Sequence, residues 1–257
     1  KVIILAAGEG KRMKSKLPKV LHKVQGRTMV DHVIDAAERA GAGDICVVVG
    51  HGAQEVKEAL KDRNVKFALQ EKQLGTGHAV MQAGDFIEEG ADILVLYGDT
   101  PLITPETIGK LLDFHEKEGN SISIISAMVD DPAGYGHIIR NEKGEFLKNV
   151  EHKDASDEEK LVKEINTGIY CFTGEALKKG LSLIKNDNAQ GEYYLPDTLE
   201  IILKEGGRVN AMIAEDAGEF AGVNSRMQLA EAGTPNPLII CGQAVSANKF
   251  LLKSCSA

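Results

Sequence analysis

The chain has 257 residues, 43% of them hydrophobic and 26% charged, a composition typical of a soluble globular protein and unlike that of a disordered one. Its formal net charge of -8 argues against a general nucleic-acid binder, because such proteins carry a broad basic face. No apolar run approaches the ~20 residues that span a bilayer, and the chain begins on a core strand, so we expect a cytoplasmic protein with no membrane or nucleic-acid partner.

The first predicted strand, residues 2–7, leads directly into a glycine loop that is rich in cations. Gly8 and Gly10 let backbone N–H groups approach a ligand without obstruction by a Cβ atom. Arg12 and Lys19 can supply the positive charge that a nucleoside triphosphate needs. The sequence therefore predicts a phosphate-binding loop at the end of the first strand.

Two other interpretations of this loop fit less well. A dinucleotide-binding turn would have a glycine where Met13 stands, and a ribose-binding carboxylate where the second strand ends in residues 50–52, Gly-His-Gly. A purely structural turn would leave Arg12 and Lys19 as ordinary solvated cations. The long basic insertion before Lys19 favours the phosphate-binding interpretation.

Strand-like and helix-like segments alternate through the first half of the chain. This pattern predicts an α/β fold, a Rossmann-like sheet with helices on both faces. The predicted helix nearest the start carries an apolar stripe and is ended by Gly41. In chain order the segments are a helix over 29–40, a strand over 45–49, a helix over 53–60, a strand over 65–69, a helix over 75–83 and a strand over 93–97.

The strand over 93–97 ends abruptly at Gly98 and Asp99. Ligands of open α/β sheets gather at the carboxyl ends of strands, so we expect the Asp99 loop to face the glycine loop. Asp99 is a suitable Mg²⁺ ligand, and Asn224 could supply a second oxygen. Alone, Asp99 would more often be a turn or capping residue, and Asn224 an N-cap.

From residue 121 onward strand-like runs dominate. Those over 122–128, 137–140, 146–151 and 165–172 predict a mixed β region that forms a small substrate lobe. Two helices over 175–184 and 195–205 and a last strand over 209–213 follow.

The cysteines and histidines show no catalytic or metal-binding spacing. Cys46 and Cys171 lie in apolar strands, and Cys241 and Cys255 are far away in the chain, so we expect reduced thiols. The sequence has no G-x-S-x-G, H-E-x-x-H or G-x-x-x-x-G-K-[ST] motif. The scattered histidines are expected at the surface or at caps; they are His22, His32, His51, His78, His115, His137 and His152.

Ordered motifs identify a family. Residues 5–13 with 18–21 resemble the signature of the sugar-nucleotide pyrophosphorylases. More narrowly, the chain is similar to the uridyltransferase domains of bacterial N-acetylglucosamine-1-phosphate uridyltransferases, from Val2 to about Glu231, which predicts one domain over 1–231. The motifs that carry this resemblance are Gln70, 74–79, 97–102, 134–136, 150–154, 165–168, 188–194 and 222–224.

The resemblance implies a fold of the nucleotide-diphospho-sugar transferase type. It also implies a reaction in which N-acetylglucosamine 1-phosphate attacks the α-phosphorus of UTP, giving UDP-N-acetylglucosamine and pyrophosphate. By the same resemblance Arg12 and Lys19 neutralise the triphosphate, and Mg²⁺ is held by Asp99 and Asn224. The implied substrate-binding residues are Leu5, Ala6, Ala7 and Gly8 for the nucleotide, Gln70, Gly75 and Thr76 for uracil, Gly98 and Asp99 at the strand end, and Gly136, Glu151, Asn166 and Tyr97 for the sugar and ribose side.

Some questions remain open at the level of sequence. Full-length members of the family carry a second, acetyltransferase domain of hexapeptide repeats, and residues 232–257 show no such repeat. This tail stays unassigned. The trimer of full-length members rests on the repeat domain, so the oligomeric state of this chain is left open. The alternatives are a pyrophosphorylase for another sugar 1-phosphate and a non-catalytic nucleotide-sugar sensor. Arg12, Lys19, Asp99 and Asn224 together argue against a sensor, since binding alone does not need the whole charge-neutralising set.

Overall fold

The computed structural model describes residues 1–188 and 190–233, which form one mixed β-sheet flanked by helices. Seven strands lie in the order β11-β7-β10-β6-β1-β4-β5, and a small separate ribbon pairs β2 with β3. The strands are β1 (Val2–Ala6), β2 (Lys23–Val24), β3 (Arg27–Thr28), β4 (Ile45–Val49), β5 (Lys66–Leu69), β6 (Asp92–Tyr97), β7 (Ile122–Met128), β8 (His137–Arg140), β9 (Phe146–Val150), β10 (Glu164–Thr173) and β11 (Val209–Ile213).

Helices cover both faces of the sheet, as the alternating pattern predicts. The two main apolar clusters lie on opposite sides of it, so that β1 alternates between them, Ile3 and Leu5 in one and Ile4 in the other. In the described part of the chain no helix has the length and apolarity to cross a membrane. The helices are α1 (Met29–Arg39), α2 (Ala53–Ala59), α3 (Thr76–Met81), α4 (Pro105–Glu118), α5 (Gly174–Leu183), α6 (Asp197–Lys204) and α7 (Arg226–Gly233).

The central strand β1 determines where the site lies. All five of its residues are buried, and it pairs in parallel with β4 on one side and β6 on the other. Strands buried on both faces read as continuous apolar runs, which is how this segment reads. The carboxyl ends of β1 and β6 therefore stand side by side, and the glycine loop and the Asp99 loop extend from the same edge.

The predicted β lobe is smaller than the sequence indicates. Of its four runs, β7 and β10 are central members of the main sheet, and only the hairpin of β8 and β9 extends beyond it. The reason is burial: six of the seven β7 residues are buried, as expected of a strand covered on both faces. Pairing of β8 with β10 through His137 and Ile165 ties the hairpin to the sheet.

Helix α4 is absent from the sequence prediction, although its end signals are present. Thr104 caps it by accepting from the Thr107 N–H at 3.2 Å, proline follows at the first helical position, and Gly119 ends it with a φ of 59°. Its apolar residues are few, so that the periodic signal is weak. Only Ile108, Leu111 and His115 are buried.

Buried side chains correct one further expectation and confirm another. His115 and His137 are 2% and 0% exposed, so neither is a surface residue. Each instead makes a ring-nitrogen hydrogen bond inside the fold, to Ser123 Oγ and to the Val162 carbonyl, both at 2.9 Å. Cys46 and Cys171 are buried free thiols, as predicted, whereas Cys241 and Cys255 lie outside the described residues, like most of the 232–257 tail.

Candidate functional site

Lys19 stands at the centre of the candidate site. It opens a short 3-10 turn directly after Pro18, and its Cβ packs against the glycine loop. Gly10 has a φ of 62°, and a Cβ atom there would lie 2.8 Å from Lys19 Cβ. The glycine is therefore needed both for its backbone conformation and for the approach of Lys19.

The Lys19 ammonium binds the two residues that the sequence proposed as metal ligands. Nζ donates to Asp99 Oδ2 in a short contact and to Asn224 Oδ1 at 3.0 Å. The side chains of Lys19 and Asp99 are each 15% exposed, which limits screening of the ion pair by water. The expectation that the Asp99 loop faces the glycine loop is confirmed by this contact.

Asn224 is held in place by its own loop. The N–H of Val223 donates to the Asp99 carbonyl at 2.9 Å, which fixes this loop against the end of β6. Ser225 Oγ, and not the Asn224 side chain, accepts from the Gln228 N–H at 3.2 Å in the first turn of α7. The capping role that the sequence offered for Asn224 belongs to its neighbour, which leaves the Asn224 oxygen directed at Lys19.

The oxygen donors at this point fit a hard divalent cation. Asp99 Oδ2 and Asn224 Oδ1 both contact one ammonium nitrogen, so they converge within the reach of a single cation. Mg²⁺ is commonly held by one or two such oxygens together with phosphates and waters. Across 1–188 and 190–233, no three Cys, His, Asp or Glu side chains group into a metal site.

Arg12 lies on the outer side of this group. It is exposed within the 3-10 turn Lys11–Met13, and it lines a cavity of about 230 Å³ with Lys19 and Asn224. Lys19 lines this cavity and also a larger one, the nucleotide cavity, which is named for the ligand that the sequence predicts there. Both predicted cations therefore border the smaller cavity, the candidate anion-binding region, and of the two only Lys19 also reaches the larger cavity.

The nucleotide cavity has a volume of about 320 Å³ and opens at the carboxyl ends of β1 and β6. It is lined by ten of the predicted substrate residues. Five further lining residues were not predicted from the sequence as site residues; four of them lie in motifs noted for resemblance only, and the five are Val20, Gln73, Ala79, Glu192 and Tyr194. The predicted residues that line the cavity are Leu5, Ala6, Ala7, Gly8, Lys19, Gln70, Gly75, Thr76, Tyr97 and, at its rim, Asp99.

Gln70 has a defined amide orientation in this cavity. Its side chain is 3% exposed, and Nε2 lies 3.1 Å from the Gly75 carbonyl, to which it donates, and 3.0 Å from His78 Nδ1. Both N–H groups of the amide are thereby engaged. Its Oε1 has no partner within the described ranges, so Gln70 offers a ligand a hydrogen-bond acceptor.

The Gly75–Thr76 turn is built for close backbone approach. Gly75 has a φ of 104°, and a Cβ atom there would lie 2.5 Å from the Tyr193 carbonyl oxygen. The Thr76 hydroxyl accepts from the Leu195 N–H at 3.0 Å, which joins the start of α3 to the segment before α6. The turn therefore presents backbone groups to the cavity from a fixed position.

Tyr97 lines the nucleotide cavity at the carboxyl end of β6. Burial raises the pKa of its hydroxyl, and the charge of Asp99 adds to this, so the phenol stays protonated and able to donate. Gly168, with a φ of 85°, lies under the ring, where a Cβ atom would be 2.7 Å from Tyr97 Cε2. Gly98 serves packing, since a Cβ there would lie 3.2 Å from Val20 Cγ1.

The predicted sugar residues lie together on the β8–β9 hairpin and the adjoining part of β10. The Asn166 N–H donates to the Gly136 carbonyl at 2.8 Å, and the register of β10 shifts just after Asn166. Such bulges change the direction of a side chain. Glu151 lines a third cavity of about 520 Å³, and Tyr194 lines both this cavity and the nucleotide cavity.

Comparison with known proteins agrees with this geometry. A family model described as the MobA-like NTP transferase domain matches residues 2–163. The chain belongs to this family. Proteins named bifunctional protein GlmU are 55% identical in Thermoanaerobacter pseudethanolicus over 230 residues, 52% identical in Acetivibrio thermocellus over 232, and 49% identical in Clostridioides difficile over 232.

These matches cover most of this chain but only half of each relative. Each alignment covers 90% of this chain and 50% of the relative, so the chain spans about half the length of the curated relatives it matches. Among solved structures, one named as a glucose-1-phosphate thymidylyltransferase from Bacillus anthracis superposes with a TM-score of 0.73. The superposition covers 92% of this chain and 96% of that one at 23% identity, which shows that the two chains share a fold.

Proposed function

We propose that the chain is a nucleotidyltransferase that forms UDP-N-acetylglucosamine and pyrophosphate from UTP and N-acetylglucosamine 1-phosphate. The observation that carries this proposal is the convergence of Lys19, Asp99 and Asn224 beside the nucleotide cavity. The 55% identity to a bifunctional GlmU protein supports it. The adjoining cavities support an arrangement in which the nucleotide, the phosphates and the sugar occupy neighbouring parts of one cleft.

Recognition of the base follows from the Gln70 amide. Uracil has an N3–H donor between two carbonyl acceptors, whereas cytosine has an acceptor at N3. Because the free group of Gln70 is the acceptor Oε1, it pairs with the uracil N3–H and opposes cytosine. Discrimination by such buried polar groups is strong, since the wrong base leaves the group unpaired.

Catalysis in this site rests on position and charge. A phosphate oxygen of the sugar 1-phosphate attacks the α-phosphorus, the bond from that phosphorus to the bridging oxygen breaks, and pyrophosphate leaves with the negative charge. No side-chain nucleophile or base is needed, because the attacking group is already an anion. Lys19 and Arg12 lie where they can neutralise the triphosphate and the charge that develops on it.

Mg²⁺ is the cofactor that the donor set fits, with Asp99 and Asn224 as its protein ligands. When bound, it would neutralise phosphate charge and orient the phosphates for in-line displacement. Lys19 would then exchange its contacts with these two oxygens for contacts with phosphate oxygens. In the loaded enzyme Lys19 would thus contact phosphate oxygens, while Asp99 and Asn224 would contact Mg²⁺.

The test is pyrophosphate release from UTP with N-acetylglucosamine 1-phosphate, glucose 1-phosphate and glucosamine 1-phosphate in turn, with Mg²⁺ and with EDTA. We expect a clear preference for the first sugar and complete loss with EDTA. Equal rates with all three sugars would overturn the sugar assignment. Nucleotide binding without turnover would favour a sensor and contradict the enzymatic proposal.

A further inference from the structure

Asn149 lies beside the sugar residues but has no role in the function proposed above. It is on β9, two residues before Glu151, and residues two apart in a strand share a face. Both side chains line the cavity of about 520 Å³ that adjoins the nucleotide cavity at Tyr194. Asn149 therefore lies where a sugar held by Glu151 would be.

The orientation of the Asn149 amide is set by Asn166. Asn166 Nδ2 donates to Asn149 Oδ1 at 3.1 Å and to the Tyr170 hydroxyl at 2.8 Å, which uses both of its N–H groups. Asn166 Oδ1 accepts from the Gly168 N–H at 2.9 Å. The polar side-chain atoms of Asn166 are thus all hydrogen-bonded within the protein. Its contact with Asn149 turns the Asn149 oxygen toward Asn166 and the Asn149 Nδ2 group away from Asn166.

The Asn149 Nδ2 group has no acceptor among residues 1–188 and 190–233, and it lies next to the Glu151 carboxylate. A Cβ atom built on Gly136 would lie 2.7 Å from Asn149 Oδ1, 3.3 Å from Asn149 Nδ2 and 3.1 Å from Glu151 Oε1, so the Asn149 amide and the Glu151 carboxylate border the same point. A donor and an acceptor are therefore side by side around one small space. The glycine keeps that space open, since any side chain there would fill it.

We propose that Asn149 is a further substrate-binding residue, which donates from Nδ2 to a sugar hydroxyl whose own O–H donates to Glu151. A hydroxyl is both donor and acceptor, so one such group satisfies both side chains. Five acidic residues and three lysines line this cavity, and this net negative balance disfavours a phosphate and suits a neutral ring. This inference rests on the proposed function and adds a specificity contact to it.

Asn149→Asp is the most informative variant. It keeps an oxygen that can accept from Asn166, so the internal anchor survives, but it removes the N–H donor toward the substrate. Asn149→Ala removes both contacts without adding charge. Asn141→Ala is the matched control, because Asn141 stabilises the turn of the same hairpin through its contact with Glu145 at 2.7 Å and does not line the cavity.

The experiment measures pyrophosphate release while N-acetylglucosamine 1-phosphate and UTP are varied separately. For Asn149→Asp and Asn149→Ala we expect the KM for the sugar phosphate to rise about tenfold or more, as for a lost hydrogen bond to a polar group, with the KM for UTP changed less than about twofold. The 3-, 4- and 6-deoxy sugar 1-phosphates then identify the hydroxyl. One of these analogues should have an equally high KM with the wild type and with Asn149→Asp.

Two results would overturn the inference while leaving the proposed function intact. One is turnover by Asn149→Asp with an unchanged KM for the sugar phosphate. The other is a rise in KM by the same factor for the parent sugar phosphate and for all three deoxy analogues, since that would indicate an effect through the hairpin fold. Absence of turnover in the wild type with every sugar phosphate would instead overturn the proposed function, and this inference with it.

Discussion

Lys19 donates a hydrogen bond to Asp99, 80 residues further along the chain, at the point where the ends of two neighbouring parallel strands meet. The same ammonium reaches Asn224, 205 residues from it in sequence. One cation therefore joins three loops that only the folded sheet brings together. These three residues line the nucleotide cavity, the anion-binding region or both. The contacts that hold the three loops together therefore lie where the proposed reaction takes place.

Replacement of Lys19 by methionine should abolish most of the activity while the fold is retained. The side chain keeps its length, but the preorganised charge is lost, and such losses lower kcat by about 10²–10³. Steady-state pyrophosphate release measures the effect. Lys16→Met is the control, since Lys16 is exposed in the same basic insertion and should keep nearly full activity. A Lys19→Met enzyme with most of its rate would remove Lys19 from the catalytic group.

Asp99→Asn should weaken binding of the divalent cation. Loss of the carboxylate that contacts the Lys19 ammonium should raise the Mg²⁺ concentration for half-maximal rate by about tenfold or more, because Mg²⁺ favours charged oxygens. Electron paramagnetic resonance of Mn²⁺ in the presence of UTP gives a second readout that does not depend on turnover. Asp113→Asn, at an exposed position on α4, is the control. Equal Mn²⁺ affinity of Asp99→Asn and wild type would contradict the assignment.

The sequence alone predicts most of the sheet because the decisive strands are continuous apolar runs. β1, β4 and β11 have the predicted bounds to within a residue, and the predicted meeting of the glycine and Asp99 loops follows from their place at parallel strand ends. Two predictions failed for physical reasons. Helix α4 was missed because it buries few apolar residues. The two longest runs of the expected lobe belong to the main sheet, and local patterns do not report which strands pair.

The candidate site was predictable only in part. Lys19, Asp99 and Gln70 stand in recognisable local motifs, whereas Asn149 and Tyr194 gain their positions from pairing between distant segments. The orientation of an amide group is equally invisible in sequence. That Gln70 offers an acceptor and Asn149 a donor depends on tertiary contacts with the Gly75 carbonyl and with Asn166.

Gln70→Ala should lower both the use of UTP and the selectivity for uracil. Removal of a buried acceptor that pairs with the N3–H costs about 1–3 kcal/mol, so kcat/KM for UTP should fall about 10–100-fold. The ratio of kcat/KM for UTP over CTP should fall as well. Competition between the two nucleotides in one assay measures this ratio. Gln54→Ala, at an exposed position in α2, should leave both values unchanged. An unaltered ratio in Gln70→Ala would place base recognition elsewhere.

Two glycine replacements should have opposite effects. Gly75→Ala introduces a Cβ at a φ of 104° and 2.5 Å from the Tyr193 carbonyl oxygen, which should cost about 1–3 kcal/mol of stability and raise the KM for UTP. Gly109→Ala lies within α4, where a Cβ meets nothing within 4 Å, and should stabilise by about 0.5–1 kcal/mol. Urea denaturation measures both. Equal effects of the two would contradict the described turn.

His115 should make stability depend on pH below neutrality. Burial lowers its pKa from 6.5, and Asp92 only partly opposes this shift. The stabilisation of the neutral folded form is therefore fully present above pH 6.5 and is lost as the pH falls, because the unfolded chain takes up the proton first. Between pH 7.5 and 5.5, the wild type should lose more thermal stability than His115→Gln. If the two proteins lost the same thermal stability over this pH range, His115 would have no such effect.

The most direct test of the central claim is a crystal structure of the chain with Mn²⁺ and a non-hydrolysable UTP analogue, in which anomalous scattering locates the metal. We predict one metal peak within coordination distance of both Asp99 Oδ and Asn224 Oδ1, with the Lys19 ammonium on a phosphate oxygen and the uracil N3 facing Gln70 Oε1. A metal peak distant from these two residues, or a triphosphate bound away from Lys19, would contradict the account.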